Sequence, residues 1–157
     1  MKYETHETTK QMAEKAAWTP FARALDLCCG TGWVADYLRE FGPVLKADIE
    51  PYPGAIQSDL FENVEGAFDL IVSSGPCVPS GIVDEREDLR PRICYDGGPT
   101  GFELIQRVID ECPPFLSPGG TIWIEFDNGQ AGMFPEGWTI EKDDWGNDRF
   151  AHWTKEL

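Results

Sequence analysis

Residues 24–35 read Ala-Leu-Asp-Leu-Cys-Cys-Gly-Thr-Gly-Trp-Val-Ala and carry the strongest structural signal in the chain. A short apolar run leads into Gly30 and Gly32, and a helix is predicted to begin at about Trp33. The glycines let the backbone turn sharply and approach a ligand, and the start of the helix offers free N–H groups. A strand, a tight turn and a helix in this order predict a parallel α/β sheet with a nucleotide-like cofactor at the turn.

The identity of that ligand stays open from these residues alone. Asp26, at the carboxyl end of the predicted strand, offers a carboxylate to a cationic group. The spacing Gly30-x-Gly32-x-x-Ala35 also satisfies the loose dinucleotide fingerprint, so NAD or FAD is an alternative. A purely structural glycine turn is a third interpretation.

Length and composition restrict the class of protein. With 157 residues and 41% hydrophobic composition, residues 1–157 are expected to form one domain with a full core. No run approaches the length of a membrane span and no apolar signal segment begins the chain, which predicts a soluble, cytoplasmic protein. The five cysteines show no C-x-x-C spacing, so we expect reduced thiols and no metal site. The net charge of −15 disfavours nucleic acid as a partner, because phosphates would be repelled.

The remaining pattern predicts alternating helices and strands, which is typical of a mainly parallel sheet. The predicted helices span residues 4–17, 33–41 and 101–115. The predicted strands span residues 25–28, 44–48, 68–73 and 121–126, followed by an antiparallel hairpin at about 138–141 and 149–153. The segment 75–100 is rich in glycine, proline and charge and is predicted to be a loop.

The connection after the second predicted strand is unusually short. Only six residues, Ile49 to Gly54, separate Asp48 from Ala55, whereas a parallel crossover needs at least about ten. Two prolines in this connection also exclude a helix. We therefore expect an extended loop, with residues 55–58 forming a short edge strand or none.

An ordered series of motifs resembles the HemK/PrmC-like class I methyltransferases, which use S-adenosylmethionine (SAM) to methylate a glutamine side-chain amide in translation release factors. In chain order, the matching segments are Glu4-Thr-His-Glu-Thr-Thr9, Asp26-x-x-x-Gly30-x-Gly32, Ala47-Asp48-Ile49, Ser58-Asp59-Leu60-Phe61, residues 68–73, 90–98 and 115–120, and Asn147-Asp148-Arg149. The resemblance runs through nearly the whole chain. It implies a Rossmann-like, mainly parallel sheet with a C-terminal antiparallel hairpin, and SAM as the cofactor.

The resemblance also implies roles for individual residues. Asp26 would lie near the amino-acid end of SAM, Asp48 would accept from the ribose hydroxyls, and Asp59 would accept from the adenine amino group. The alternatives are a solvated strand end for Asp48 and a turn or N-cap residue for Asp59. The expected cofactor-binding residues are Thr8, Asp26, Cys28, Gly30, Thr31, Gly32, Asp48, Ile49, Asp59, Leu60 and Ser74.

The sequence departs from this family where the methyl acceptor would bind. The family's Asn-Pro-Pro-Tyr signature is replaced by Ser74-Gly75-Pro76-Cys77. In the family, the Asn side chain and a proline carbonyl hold the amide N–H groups and aim the nitrogen at the methyl. Ser74 offers only a short hydroxyl, and Cys77 cannot stack as a tyrosine does. We expect these four residues to form the catalytic acceptor site, with Cys77 as a packing residue and nucleophilic catalysis by its thiol as the alternative.

The resemblance predicts methyl transfer to a nitrogen of a protein or peptide. The alternatives are a non-catalytic SAM-binding or partner-binding relative and a methyltransferase acting on a small molecule. We expect Arg86, Arg90 and Arg92 to pair with neighbouring acidic residues, the alternative being a clamp for an acidic substrate. Tyr52 is expected either to stack on adenine or to serve as an ordinary turn residue.

Overall fold

The computed structural model describes residues 5–89 and 91–157, in which helices and strands alternate along most of the chain. The helices are α1 (Glu7–Ala16), α2 (Trp33–Leu38), α3 (Ser80–Glu85) and α4 (Glu103–Glu111). The strands are β1 (Ala24–Leu27), β2 (Val44–Asp48), β3 (Ile56–Gln57), β4 (Phe68–Ser73), β5 (Leu116–Glu125), β6 (Thr139–Lys142) and β7 (Asp148–Thr154). None of the described helices has the length and apolar character needed to cross a lipid bilayer.

The strands form one sheet in the order β3-β2-β1-β4-β5-β7-β6. The first five strands in this order are parallel to their neighbours. Strand β7 runs antiparallel to both β5 and β6. The predicted α/β class, the mainly parallel sheet and the C-terminal antiparallel hairpin are therefore confirmed.

The two faces of the sheet are covered by different helices because successive strand residues point to opposite faces. On one face, Leu25 and Leu27 belong to a buried cluster with Ile105 of α4. On the other face, Ala24 packs in a cluster with Met12 of α1 and with α2. The intervening Asp26 shares the α1 and α2 side of β1, which places its carboxylate beside the start of α2.

The predicted short connection after β2 is also confirmed. Residues 49–55 form no helix, and β3 is a two-residue edge strand that pairs with Ala47 and Asp48. The Lys46 ammonium donates to the Pro53 carbonyl at 3.1 Å and ties the loop back to β2. This connection leaves the carboxyl end of β2 uncovered by a crossover helix.

Several element boundaries differ from the sequence prediction. The segment 75–100 is not only loop, since it contains α3 and two short 3₁₀ turns at residues 87–89 and 92–94. Pro79, with φ −57°, directly precedes α3, and only Val83 of that helix is buried, so its apolar pattern is too sparse to predict a helix. Helix α4 ends at Glu111 because Pro113 and Pro114 cannot donate the next helical hydrogen bonds. The predicted helical residue Glu4 lies outside the described residues.

Candidate cofactor and acceptor site

The turn after β1 uses left-handed backbone. Gly30 has φ 53° and Gly32 has φ 89°, values that a glycine adopts without steric cost. Cys28 (φ 59°) and Leu60 (φ 52°) are the non-glycine residues with positive φ in the described part of the chain. Both line the same cavity. Uncommon backbone of this kind persists where the surrounding structure enforces it, as at ligand sites.

Asp48 ties the glycine turn to the end of β2. Its Oδ2 accepts from the Gly30 N–H at 2.9 Å, and its Oδ1 accepts from the Glu50 N–H at 2.9 Å. Each contact is a charge-assisted hydrogen bond to the backbone, which fixes the carboxylate at the edge of the cavity. Asp48 is therefore an organising part of the turn, and its expected contact with ribose stays a prediction.

Asp26 is 2% exposed, and its Oδ2 accepts from the Ala35 N–H in α2 at 3.0 Å. Burial, assisted by the nearby Asp48 charge, raises the pKa of Asp26 from 3.8 to about 7, although the Ala35 hydrogen bond opposes the shift. A cation beside this carboxyl would favour its ionised form. Asp26 thus suits a positively charged ligand group.

The main cavity opens at the carboxyl ends of β1, β2 and β4 and has a volume of about 210 Å³. Ligand sites of parallel sheets lie at this edge. The predicted residues that line it are Cys28, Gly30, Asp48, Ile49, Asp59, Leu60, Ser74 and Pro76. Apolar and aromatic walls come from Leu27, Tyr52, Ile93 and Leu104, and the charged lining adds Glu50, Asp96 and Arg107. Tyr52 is therefore part of the cavity wall as well as of the turn after β2.

A smaller cavity adjoins the first, because Cys28 and Ser74 line both. Asp26 and Thr9 face this smaller cavity. The other predicted site residues, which line neither of the two cavities, are Thr8, Thr31, Gly32, Gly75 and Cys77. The structure therefore brings most of the expected residues together around a pair of adjoining cavities.

Asp59 faces the main cavity together with Arg107, which the sequence analysis missed. The Arg107 Nη1 donates to Asp59 Oδ1 at 3.0 Å. The turn at this point is held by Ser58, whose hydroxyl accepts from the Asn63 N–H at 2.9 Å and donates to the Leu60 carbonyl at 2.7 Å. The Asp59 carbonyl also takes part, since it accepts from the Glu62 N–H at 3.2 Å. Arg107 lies 48 residues from Asp59 in sequence, and no local pattern indicates the pairing.

Glu125, the last residue of β5, was also missed. It is 8% exposed. Its Oε1 accepts from the hydroxyls of Ser74 at 2.7 Å and Thr9 at 2.6 Å, and its Oε2 accepts from the Thr8 hydroxyl. The available signal was an acidic residue inside the apolar strand Thr-Ile-Trp-Ile-Glu-Phe, next to β4 in the sheet. Glu125 connects the N-terminal segment to the first residue after β4.

The segment that follows Ser74 is held by backbone and side-chain contacts. The Cys77 carbonyl accepts from the Gln130 Nε2 at 2.8 Å, and the Gly97 N–H donates to the Val78 carbonyl at 2.9 Å. Burial raises the pKa of the Cys77 thiol well above its usual range, and the charges of Glu125 and Asp127 raise it further. A thiol that resists ionisation is a poor nucleophile. This favours the predicted packing role of Cys77 over nucleophilic catalysis.

The described arginines of the segment 86–92 pair internally, as predicted. Arg86 Nε donates to Asp88 Oδ1 at 3.1 Å, and Arg92 Nε donates to Asp96 Oδ2 at 2.7 Å. Asp96 also accepts from the Ser80 hydroxyl at 2.6 Å. These bonds hold one wall of the main cavity. Arg90, the third arginine of the prediction, lies outside the described residues.

Comparison with known proteins relates this site to methyltransferases, although no family model matches the chain. The release factor glutamine methyltransferase of Geobacter sulfurreducens is 31% identical over 157 residues, which covers 82% of this chain and 55% of that protein. The ribosomal protein uL3 glutamine methyltransferase of Neisseria gonorrhoeae is 28% identical over 130 residues, which covers 68% of this chain and 44% of that protein. The chain thus spans about half the length of these curated relatives.

A solved structure shows the same fold. The release factor-specific protein-(glutamine-N5) methyltransferase from Alicyclobacillus acidocaldarius matches with a TM-score of 0.64 and 18% identity, covering 99% of this chain and 100% of that chain. This likeness confirms the predicted class I methyltransferase arrangement of the sheet.

Proposed function

Because this chain belongs to the HemK/PrmC-like family of class I methyltransferases, we propose that it transfers a methyl group from SAM to a side-chain nitrogen of a protein. The observation that carries the proposal is the cavity at the carboxyl ends of β1, β2 and β4. There the glycine turn meets the fixed carboxylate of Asp48, and the buried carboxyl of Asp26 lines the smaller cavity beside it.

The chemistry of the cavity fits SAM better than a dinucleotide. Its lining contains the four carboxylates of Asp48, Glu50, Asp59 and Asp96. The guanidinium in the same lining, that of Arg107, is already paired with Asp59 and with Glu111. A pyrophosphate would be repelled by such a lining, whereas a ligand with a sulfonium and an ammonium would be attracted. The charge distribution therefore supports SAM over NAD or FAD.

Three carboxyl groups would hold the cofactor, and its chemistry is simple. Asp26 would bind the ammonium group, Asp48 the ribose hydroxyls and Asp59 the adenine amino group, as the family resemblance implies. When bound, SAM supplies an electrophilic methyl group on a positively charged sulfur. The contribution of the chain is to hold the acceptor nitrogen in line with that methyl and to exclude water. Leu27, Leu60 and Leu104 provide the apolar walls for this exclusion.

The acceptor would bind beside Ser74, where the larger and smaller cavities meet. The two curated relatives are named for a glutamine in a release factor and in ribosomal protein uL3, which makes a protein amide the first acceptor to test. The Ser74 hydroxyl and the Gly75 carbonyl would hold its N–H groups. The replacement of the Asn-Pro-Pro-Tyr signature favours one second candidate, a SAM-binding protein without transferase activity.

The test combines binding with catalysis. Calorimetry with SAM and S-adenosylhomocysteine (SAH) should show binding of both, with Asp36→Asn as a control that removes an exposed carboxylate lining neither cavity. Incubation with methyl-labelled SAM and either a release factor or uL3 should then label the protein acceptor. Absence of binding to both SAM and SAH contradicts the cofactor assignment. Binding without labelling of any acceptor supports the non-catalytic candidate.

A further inference from the structure

Three hydroxyl groups converge on the buried carboxylate of Glu125; of these, Ser74 lines both cavities and Thr9 lines the smaller one. Ser74 and Thr9 reach Oε1, and Thr8 reaches Oε2. A carboxylate can only accept hydrogen bonds, and each hydroxyl has one proton to donate. Each of the three hydroxyl groups therefore donates its single hydrogen bond to Glu125.

This arrangement fixes the direction of every hydrogen bond that Ser74 can make with a ligand. The Ser74 and Thr9 oxygens lie 3.1 Å apart. Thr9 donates to Glu125 at 2.6 Å and Ser74 does so at 2.7 Å, so neither proton lies between the two hydroxyls. The remaining capacity of the Ser74 oxygen consists of lone pairs only. Toward the cavities, Ser74 is an acceptor and cannot donate.

We propose that Glu125 is a positioning residue that makes Ser74 an obligate hydrogen-bond acceptor for the N–H group of the methyl acceptor. A serine alone can donate or accept, whereas the Asn of the family signature presents a carbonyl oxygen. Here Glu125 removes the ambiguity and polarises the Ser74 oxygen through a charge-assisted bond. The inference deepens the proposed function and rests on it, because it explains how this chain selects a nitrogen acceptor without that Asn.

Glu125→Gln reverses the direction of the hydrogen bond between residue 125 and Ser74 with little change in side-chain shape. The Gln side chain can donate an N–H to Ser74, which frees the Ser74 proton to point into the cavity. Ser74→Ala removes the acceptor oxygen but leaves Thr8 and Thr9 bonded to Glu125. Glu141→Gln is the matched control, since it removes the same charge from β6, where Glu141 lies 3.0 Å from His152.

The first experiment is a double-mutant cycle on methyl transfer to the release factor or uL3. Glu125→Gln and Ser74→Ala should each lower kcat by about tenfold or more, while the SAM dissociation constant of Glu125→Gln changes less than about twofold. If Glu125 acts through Ser74, the double variant should be no slower than either single variant. Losses that multiply in the double variant, or that appear in the SAM dissociation constant of Glu125→Gln instead of its kcat, overturn the proposal.

A second measurement needs no protein acceptor. The SAH-bound, ¹⁵N-labelled protein is titrated by nuclear magnetic resonance with acetamide, and separately with acetone, which has a similar shape but no N–H. The wild type and Glu141→Gln should bind acetamide at least about threefold more tightly than acetone. Glu125→Gln and Ser74→Ala should lose that preference. Equal preference in all four proteins overturns the inference while SAH binding still supports the proposed function; loss of SAH binding by the wild type contradicts the proposed function itself.

Discussion

The two sides of the main cavity are built in different ways. On the β1 and β2 side, backbone N–H groups are held by carboxylates: Gly30 by Asp48, and Ala35 by Asp26. On the opposite side, the segment 74–101 is held by tight packing and by bonds among its own side chains, of which Arg92 with Asp96 is an example. The first side resembles the family closely in sequence, whereas the second departs from it at Ser74.

The β1 and β2 side would hold the cofactor, whereas the opposite side would hold the protein that is methylated. A cofactor of fixed chemistry requires a fixed set of donors and acceptors, so the side that would hold SAM has little freedom to change. The acceptor side must fit one particular partner, and its contacts can change as long as the segment stays rigid. Substitutions on the two sides should therefore affect different measurements.

The largest effect is expected from Asp26→Asn. The pKa of Asp26 is raised to about 7, chiefly by burial, so between about pH 4 and pH 7 the folded protein binds a proton that the unfolded chain releases. The free energy of unfolding of the wild type should therefore fall as pH rises through this window, by up to about 4 kcal/mol. Asn retains an acceptor for the Ala35 N–H and carries no charge, so this variant should lose that dependence. Urea unfolding of the wild type and Asp26→Asn from pH 4 to pH 8 tests this difference in pH dependence.

The same variant separates stability from binding. Removal of the Asp26 charge should weaken SAM binding by about tenfold at pH 8 while the free energy of unfolding increases. In the wild type, SAM affinity should rise from pH 6 to pH 8, because the ionised carboxyl is the form that attracts an ammonium. Unchanged SAM affinity in Asp26→Asn would show that Asp26 belongs to the structural framework alone.

Gly101→Ala probes the rigidity of the acceptor side. Gly101 has φ 85°, and a Cβ atom there would lie 2.4 Å from the Cys77 carbonyl oxygen. The combination of positive φ and overlap with backbone should lower the free energy of unfolding by about 3 kcal/mol. SAM affinity of the folded protein should change less than about threefold, whereas methyl transfer should fall sharply.

The control for this variant is Gly81→Ala in α3. A Cβ at Gly81 meets nothing within 4 Å, so the helix should gain about 0.5–1 kcal/mol. Thermal unfolding compares the two variants directly. A parallel loss of SAM affinity in Gly101→Ala would break the distinction between the two sides of the cavity.

The success of the sequence-based prediction also differs between parts of the cavity. The motif of Asp26, Gly30 and Asp48 joins residues that are close in sequence or at the ends of adjacent strands, so local pattern places them correctly. Glu125 and Arg107 act across 51 and 48 residues, on Ser74 and Asp59, and local pattern carries no information about such distances. Their roles follow only from the order of strands and from the position of α4.

Among these variants, Asp48→Ala should weaken SAM binding the most. It removes two charge-assisted hydrogen bonds to the Gly30 and Glu50 N–H groups as well as the group expected to bind ribose. A loss of about 30-fold to 100-fold in SAM affinity is expected. Calorimetry measures it, with the surface variant Asp36→Asn as the control. A loss of less than threefold would mean that the glycine turn holds its shape without this carboxylate.

The smallest effect is expected from Arg107→Gln, which bears on where the two sides of the cavity meet. Arg107 pairs with Asp59 at 3.0 Å, but both side chains are nearly half exposed, at 47% and 45%. Exposed ion pairs contribute little, so loss of the guanidinium should weaken SAM binding by only about threefold. The effect should shrink at high salt, because screening already weakens the pair in the wild type. Lys142→Gln removes a comparable exposed charge, paired with Asp148 in the C-terminal hairpin, and should leave affinity unchanged. A tenfold loss that persists at high salt would place Arg107 in direct contact with the cofactor, since only a desolvated contact resists screening.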